Sequence, residues 1–435
     1  MIIRTVTVIG ATGTMGANVS GIFASFGNAK VYMIGRDIEK VKRTISKTVK
    51  SVRADSIADN LVPADFSMLE DCVKESDLIF ESVAESMDIK RNIALRVGTV
   101  LRKDAISCTG SSGLSITELA ECYPEELRGN FFGVHMFNPP YSMSLCEFIA
   151  TKYSRPELKK DLKAYLHNVL YRTVVEVKDS PAFLGNKIGF QFINEALQYA
   201  EKYKDNGGID YIDAILGPFT GRSMSPLVTS DFVGLDVHKA IVDNVFENSA
   251  DYEHTTFVFP EFAKKLVNEG KFGRKSNGGL YQTNKYDNGL KRFAVYDIVS
   301  DAYRDKIDYV FPFAENMKRD IKTGNYKNAF ETLVNNHSKE AEICMHFLLS
   351  YIVYSLYSAD NIGFSVEAAD DVMTTGFNWC PPLALIQGIA SVTDVKALID
   401  ERLESKLLEQ IDLDRIWEEL KPSKYDYRLY FKSGS

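Results

Sequence analysis

The chain has 435 residues, 45% of them hydrophobic and 25% charged, and carries a net charge of −8. That apolar content excludes a disordered chain, and an acidic balance without a long basic block argues against nucleic acid or an anionic membrane as partner. At roughly 150 residues per domain, the length predicts about three domains. Cysteines stand at positions 72, 108, 122, 146, 344 and 380. With no CxxC pair and no metal-ligand spacing, they predict reduced thiols in a reducing, cytoplasmic compartment and no bound metal.

Residues 2–9 (IIRTVTVI) are apolar and β-branched, the pattern of a buried parallel strand rather than of a signal peptide. The glycine loop Gly10, Gly13, Gly16 follows, and then a helical run from Ala17 to Phe26. Residues 28–35 form a second predicted strand, and 38–53 a helix carrying Lys40, Lys42, Arg43, Lys47, Lys50 and Arg53. Further strands are predicted at 78–83, 105–109 and 131–134. Strands alternating with helices argue for a doubly wound α/β sheet.

The pattern changes near Asp179, Ser180 and Pro181, after which the periodicity is mostly helical. A Gly- and Asn-rich stretch, 270–289, separates this region from a last helical block ending near Leu420. Two helical segments resemble each other: 208–219 followed by Ser225-Pro226-Leu227, and 363–373 followed by Pro381-Pro382-Leu383. That likeness points to one helical unit used twice. The most apolar stretch, 344–359 (CMHFLLSYIVYSLYSA), is too short to span a membrane and reads as a buried helix. The polar tail, 421–435, reads as loosely held.

A glycine loop between strand and helix brings backbone N–H groups to a pyrophosphate at the helix N-terminus. Gly10, Gly13, Met15 and Gly16 are therefore candidate cofactor contacts, with a purely structural glycine turn as the alternative. The second strand ends in Gly35, where an NAD enzyme usually places a ribose-binding acid, and Arg36 follows. A missing carboxylate and a nearby guanidinium suit a 2′-phosphate, so the reading leans to NADP(H) over NAD(H). Asp37 stays close enough to reach the ribose.

Residues 133–140 (GVHMFNPP), with Glu147 twelve residues beyond His135, carry the chemistry. His135 is the one side chain here that acts as a base near neutral pH without large perturbation. A carboxylate on its far ring nitrogen would fix the tautomer and stabilise the imidazolium. A lone histidine near a strand end can equally be structural.

This stretch closely resembles the signature of the (S)-3-hydroxyacyl-CoA dehydrogenase family, in which His-Phe-Phe-Asn-Pro precedes a catalytic glutamate by the same interval. Residues 76–85 with Lys90, 110–117 (GSSGLSIT), 179–186 (DSPAFLGN), 231–236 and 270–281 resemble further family segments in order. The likeness covers most of residues 1–283, and the last block resembles the second helical repeat of longer members. A hydratase domain, fused in some of those, has no room here. The resemblance implies a Rossmann-type sheet followed by two all-α repeats like the C-terminal part of 6-phosphogluconate dehydrogenase. It implies domains at 1–180, 181–285 and 286–435.

The resemblance also implies oxidation of a 3-hydroxyacyl-CoA within fatty acid metabolism. His135 would be the base, Glu147 its partner, and Ser112 and Asn186 the contacts to substrate. Glu85, Lys90, Asn138 and Lys275 would line the nucleotide. A dehydrogenase of another small hydroxy or keto compound is the alternative, and a non-catalytic nucleotide-binding scaffold a further one. Gly110, Gly113, Met136 and Cys146 depart from the family pattern. One-repeat relatives pair two chains through the helical domain. Two repeats in one chain could bury that face internally, implying a monomer or a weak homo-oligomer. The basic helix at 38–53 reads either as a solvated face or as a landing site for a cofactor or CoA phosphate.

Overall fold

The β-branched run near the N-terminus forms β1 (Thr5–Ile9), a central strand of an eight-stranded sheet. The structure is a computed structural model that describes residues 2–52, 55–250, 253–276, 278–285, 291–404 and 408–433. The other strands of this sheet are β2 (Lys30–Gly35), β3 (Leu61–Asp65), β4 (Leu78–Glu81), β5 (Ile106–Thr109), β6 (Phe131–Met136), β7 (Leu145–Ile149) and β8 (Thr173–Val177). Their order is β3-β2-β1-β4-β5-β6-β7-β8. The first six run parallel, with β1 against β2 and β4. β7 is antiparallel to β6 and parallel to β8. The helices α1 (Thr14–Ser25) and α2 (Ile38–Val52) follow β1 and β2. Val6, Val8, Val19, Ile22, Phe23, Met33, Phe80, Phe132 and Phe148 belong to one hydrophobic core beneath this sheet.

The chain divides into two compact units. The first holds residues 1–183 with 362–364, and so the whole eight-stranded sheet; the second holds 184–361 with 365–435. The second unit is mostly helical. Its first helix, α3 (Gly185–Lys202), has 14 buried residues among 18, so it is a core element rather than a surface one. Between the helical blocks lies a three-stranded antiparallel sheet, with strands Tyr281–Lys285, Lys291–Asp297 and Ala302–Asp305. Sequence periodicity missed it because the strands are short and carry charged side chains. Residues 286–290 of the Gly- and Asn-rich stretch lie outside the described residues.

The two similar helical segments share a hydrogen-bonding device. Asp213 accepts from the Leu227 amide at 2.8 Å, and Asp370 accepts from the Leu383 amide at 2.8 Å. Each amide directly follows the proline that opens its helix. Proline has no N–H to offer, so the next free donor of the helix start is satisfied by a buried carboxylate. This arrangement gives the sequence likeness a physical basis.

The apolar 344–359 stretch forms most of α4 (Lys339–Ile362), which is packed against α3. The Phe192 ring meets Phe347 at 5.1 Å, Trp379 at 5.4 Å and Tyr351 at 6.1 Å. Glu195 pairs with His346 at 2.7 Å. Among the described residues, no single helix is long and apolar enough to cross a membrane. The tail corrects its expectation as a loosely held segment. Tyr425 hydrogen-bonds Asp371 at 2.5 Å, the Lys432 amide donates to Pro218, and Tyr430 and Phe431 are buried.

Candidate active site

β1 ends at Ile9, and the chain must turn sharply to begin α1. Gly10 has φ +85°, and a Cβ there would lie 2.4 Å from the Ser82 carbonyl oxygen. A Cβ at Gly16 would lie 2.5 Å from the Gly10 carbonyl oxygen. Turn and helix packing therefore demand these two glycines. Gly13 is different: its φ is −76°, and a Cβ would meet only Gly10 O at an ordinary 3.5 Å. The chain itself does not require a bare backbone there, and the missing Cβ leaves open space at the start of α1. The first turn of α1 carries no acidic side chain and Gly13 provides no side-chain cap. These features fit a pyrophosphate cradled by amides at the positive end of a helix.

At the end of β2, a Cβ on Gly35 would stand 2.7 Å from Val41 Cγ2 and 2.8 Å from Thr12 Cγ2. No larger side chain enters that space without repacking. Asp37 is committed locally, its Oδ1 accepting from the Glu39 amide at 2.9 Å and the Lys40 amide at 3.1 Å at the start of α2. Arg36 is exposed.

The ends of β4 and β5 carry a connected network of charged and hydroxyl groups. Lys90 is 2% exposed, and its ammonium donates to both oxygens of Glu81, at 2.9 and 3.0 Å. It also stands 3.3 Å from Glu85. Thr109 Oγ1 donates to Glu81 at 2.6 Å. Glu85 accepts from Ser111 Oγ at 2.5 Å and from the Ser112 amide at 2.7 Å. The turn that bears Ser112 is thus fastened to the end of β4. Lys90 is enclosed, and its charge is used within this network.

β6 and β7 place His135 directly opposite Glu147. His135 Nδ1 lies 2.7 Å from Glu147 Oε2, with His135 5% exposed and Glu147 fully buried. Antiparallel pairing puts opposed side chains on the same face of the sheet, which is why a twelve-residue spacing becomes a contact. Phe137 and Phe183 lie against the imidazole, at centroid distances of 4.6 and 5.6 Å. Asn138 is exposed just beyond β6. Arg172, buried on the β8 side, donates to the carbonyls of Pro140 and Met143 and so fixes the loop that follows. Asn186 and Lys275 belong to the second unit. Asn186 sits in the first turn of α3 and is 7% exposed, and Lys275 pairs with Asp236 at 2.5 Å.

Residues 5–180 match the model of the 3-hydroxyacyl-CoA dehydrogenase NAD-binding domain, and residues 183–283 match the model of that family's C-terminal domain. The chain belongs to the 3-hydroxyacyl-CoA dehydrogenase family. Members of this family are oxidoreductases that act on a CH–OH group, and the first unit is its nicotinamide-dinucleotide-binding domain.

A probable 3-hydroxyacyl-CoA dehydrogenase of Deinococcus radiodurans is 31% identical over 311 residues, covering 68% of this chain and 87% of that protein. One from Bacillus subtilis is 29% identical over 308 residues, covering 71% of this chain. The match spans only 38% of the Bacillus protein's length. The crystal structure of 3-hydroxybutyryl-CoA dehydrogenase from Escherichia coli K12 has the same fold, with a TM-score of 0.71 at 20% identity, covering 96% of this chain and 99% of that one.

Sequence reasoning passed over Glu81, Thr109, Ser111, Phe183 and Arg172. Charged and hydroxyl residues at strand ends read as solvent-facing until the fold shows them enclosed. The one available signal was the acid–lysine spacing from Glu81 to Lys90 across a strand–helix turn.

Proposed function

We propose that the protein interconverts (S)-3-hydroxyacyl-CoA and 3-oxoacyl-CoA with a nicotinamide dinucleotide, using His135 and Glu147 as the proton-transfer pair. The observation that carries this reading is the buried 2.7 Å contact between His135 Nδ1 and Glu147 Oε2. A proton on Nδ1, shared with the carboxylate, leaves Nε2 with its lone pair to take the substrate hydroxyl proton. Glu147 then balances the imidazolium that forms. In the reducing direction the same imidazolium returns the proton to the developing alkoxide. When bound, the nicotinamide supplies the hydride chemistry. Ser112, on the turn held by Glu85, and Asn186 are proposed to contact the thioester and hydroxyl ends of the substrate. Glu85, Asn138 and Lys275 are proposed to border the nicotinamide nucleotide, with Lys90 acting through Glu85.

Direct binding titrations with both cofactors, followed by an acetoacetyl-CoA reduction assay, test the reading. Binding and turnover together are expected. Binding without turnover of acetoacetyl-CoA would shift the assignment to another small hydroxy or keto compound.

For the cofactor we propose NADP(H). Gly35 leaves no place for a ribose-binding carboxylate, Asp37 is engaged at the start of α2, and Arg36 is exposed beside them. Arg36→Ala is expected to weaken NADPH binding by about tenfold and to leave NADH binding within about twofold, as loss of one exposed charge-assisted phosphate contact should. Equal weakening of both cofactors in fluorescence titrations would contradict this.

The six free cysteines support a reducing compartment. For assembly, we propose a monomer. The buried length of α3, Phe192 with Phe347 and Trp379, and the Glu195–His346 pair occupy within one chain the face that, as the resemblance implies, one-repeat relatives use between chains. Sedimentation is expected to give a single species of 48.9 kDa. A tight dimer whose interface maps to residues 190–230 would contradict it.

A further inference from the structure

Two successive residues without the freedom of glycine adopt left-handed backbone conformations just after β8: Ala182 at φ +61° and Phe183 at φ +54°. L side chains avoid this region, and residues held there cluster where function requires the resulting geometry. Both side chains are buried, Ala182 at 1% and Phe183 at 0% exposure. The segment is anchored just upstream. The Asp179 carboxylate accepts from the Ile116 amide at 3.0 Å, the Thr117 amide at 2.8 Å and Ser115 Oγ at 3.2 Å. The Phe183 amide then closes a turn onto the Ser180 carbonyl at 3.0 Å.

What this turn delivers is the Phe183 ring, set against His135 at 5.6 Å between centroids and tilted by 51°. Phe137 provides a second ring at 4.6 Å and 56°. We propose that Phe183 is a positioning residue for His135, held in place by the left-handed turn at 182–183. With Glu147 on Nδ1 and two rings packed against it, the imidazole is held against the flip about Cβ–Cγ that would exchange Nδ1 with Cδ2 and swing Nε2 aside. The Glu147 carboxylate has no exposed surface, and away from water its hydrogen bond to the imidazole is stronger. Phe183 acts through His135 rather than on the substrate. It acts by keeping Nε2 directed at the substrate. The proposal rests on His135 being the base.

The test is Phe183→Leu, with Phe183→Met as a second, volume-conserving variant. Each is read for kcat, KM, cofactor affinity and the proton NMR signal of His135 Nδ1–H, the signal assigned by its absence in His135→Gln. A misaimed base is expected to lower kcat by about 10–100-fold, with substrate KM and cofactor Kd within about twofold, and to broaden the Nδ1–H signal. An unchanged kcat and signal in both variants would overturn the positioning role. So would a fall in kcat that merely tracks lost cofactor binding or lost cooperative melting, which is the mark of a packing role. Wild-type turnover in His135→Gln would instead remove the base assignment itself, so the two failures are distinguishable.

Discussion

Replacing His135 with glutamine is expected to lower kcat by about 10²–10⁴-fold, the usual contribution of a positioned general acid–base group. Glutamine keeps a polar side chain of similar reach that can still meet Glu147, so the strand pairing and the core around it survive. What it cannot do is take a proton near neutral pH. The glycine loop, Arg36 and the Glu81–Lys90–Glu85 network do not touch this side chain, so cofactor affinity should stay within about twofold. The separation of the two effects is the informative part. An interaction made only during proton transfer lowers kcat and kcat/KM together, whereas damage to the fold would lower cofactor binding as well. Cofactor titration beside steady-state rates checks it.

Glu81→Leu should be the most destabilising single change in the first unit. Lys90 and Glu81 have side-chain exposures of 1% and 8%. Removing Glu81 leaves the buried Lys90 ammonium only the partly exposed Glu85 at 3.3 Å, at a cost of about 3 kcal/mol, the low end for breaking a buried pair. Thr109 and the Val83 amide would also lose their acceptor. Adding Lys90→Met removes the stranded ammonium, and the double variant should recover most of that loss, to within about 1–2 kcal/mol of the parent. Glu85 still holds the Ser111–Ser112 turn in that variant, so stability and turn geometry can be separated. Denaturant midpoints of the parent, both single variants and the double variant form the required cycle. Additive losses, with no recovery in the double variant, would show that the pair is not coupled as the structure indicates.

The features legible in sequence are those whose physics is local. The glycine loop is readable because a strand, three small residues and a helix follow one another in the chain. The His135–Glu147 spacing becomes suggestive through the resemblance, and becomes a contact only through the antiparallel register of β6 and β7. β3 was missed because Pro63 interrupts a short edge strand, and β7 because five residues (LCEFI) are too few to show a period. The second helical repeat was visible as a weak likeness; the paired Asp213 and Asp370 caps that explain it needed coordinates. The tail misled because Tyr425, Tyr427, Tyr430 and Phe431 are spread among charged and polar residues, so its anchoring aromatics form no periodic stripe. The enclosure of Glu81 with Lys90 was hidden for the opposite reason: a charge in sequence is presumed wet, and only the fold shows two of them buried together.

The most direct measurement is acetoacetyl-CoA reduction with NADPH and NADH by the 435-residue chain and its His135→Gln variant, with cofactor binding measured on the same samples. The expected result is turnover by the parent protein and loss of that turnover in the variant, with both proteins binding cofactor alike. Cofactor binding followed by equal turnover in the two proteins would contradict the assignment of His135 and Glu147 as the proton-transfer pair.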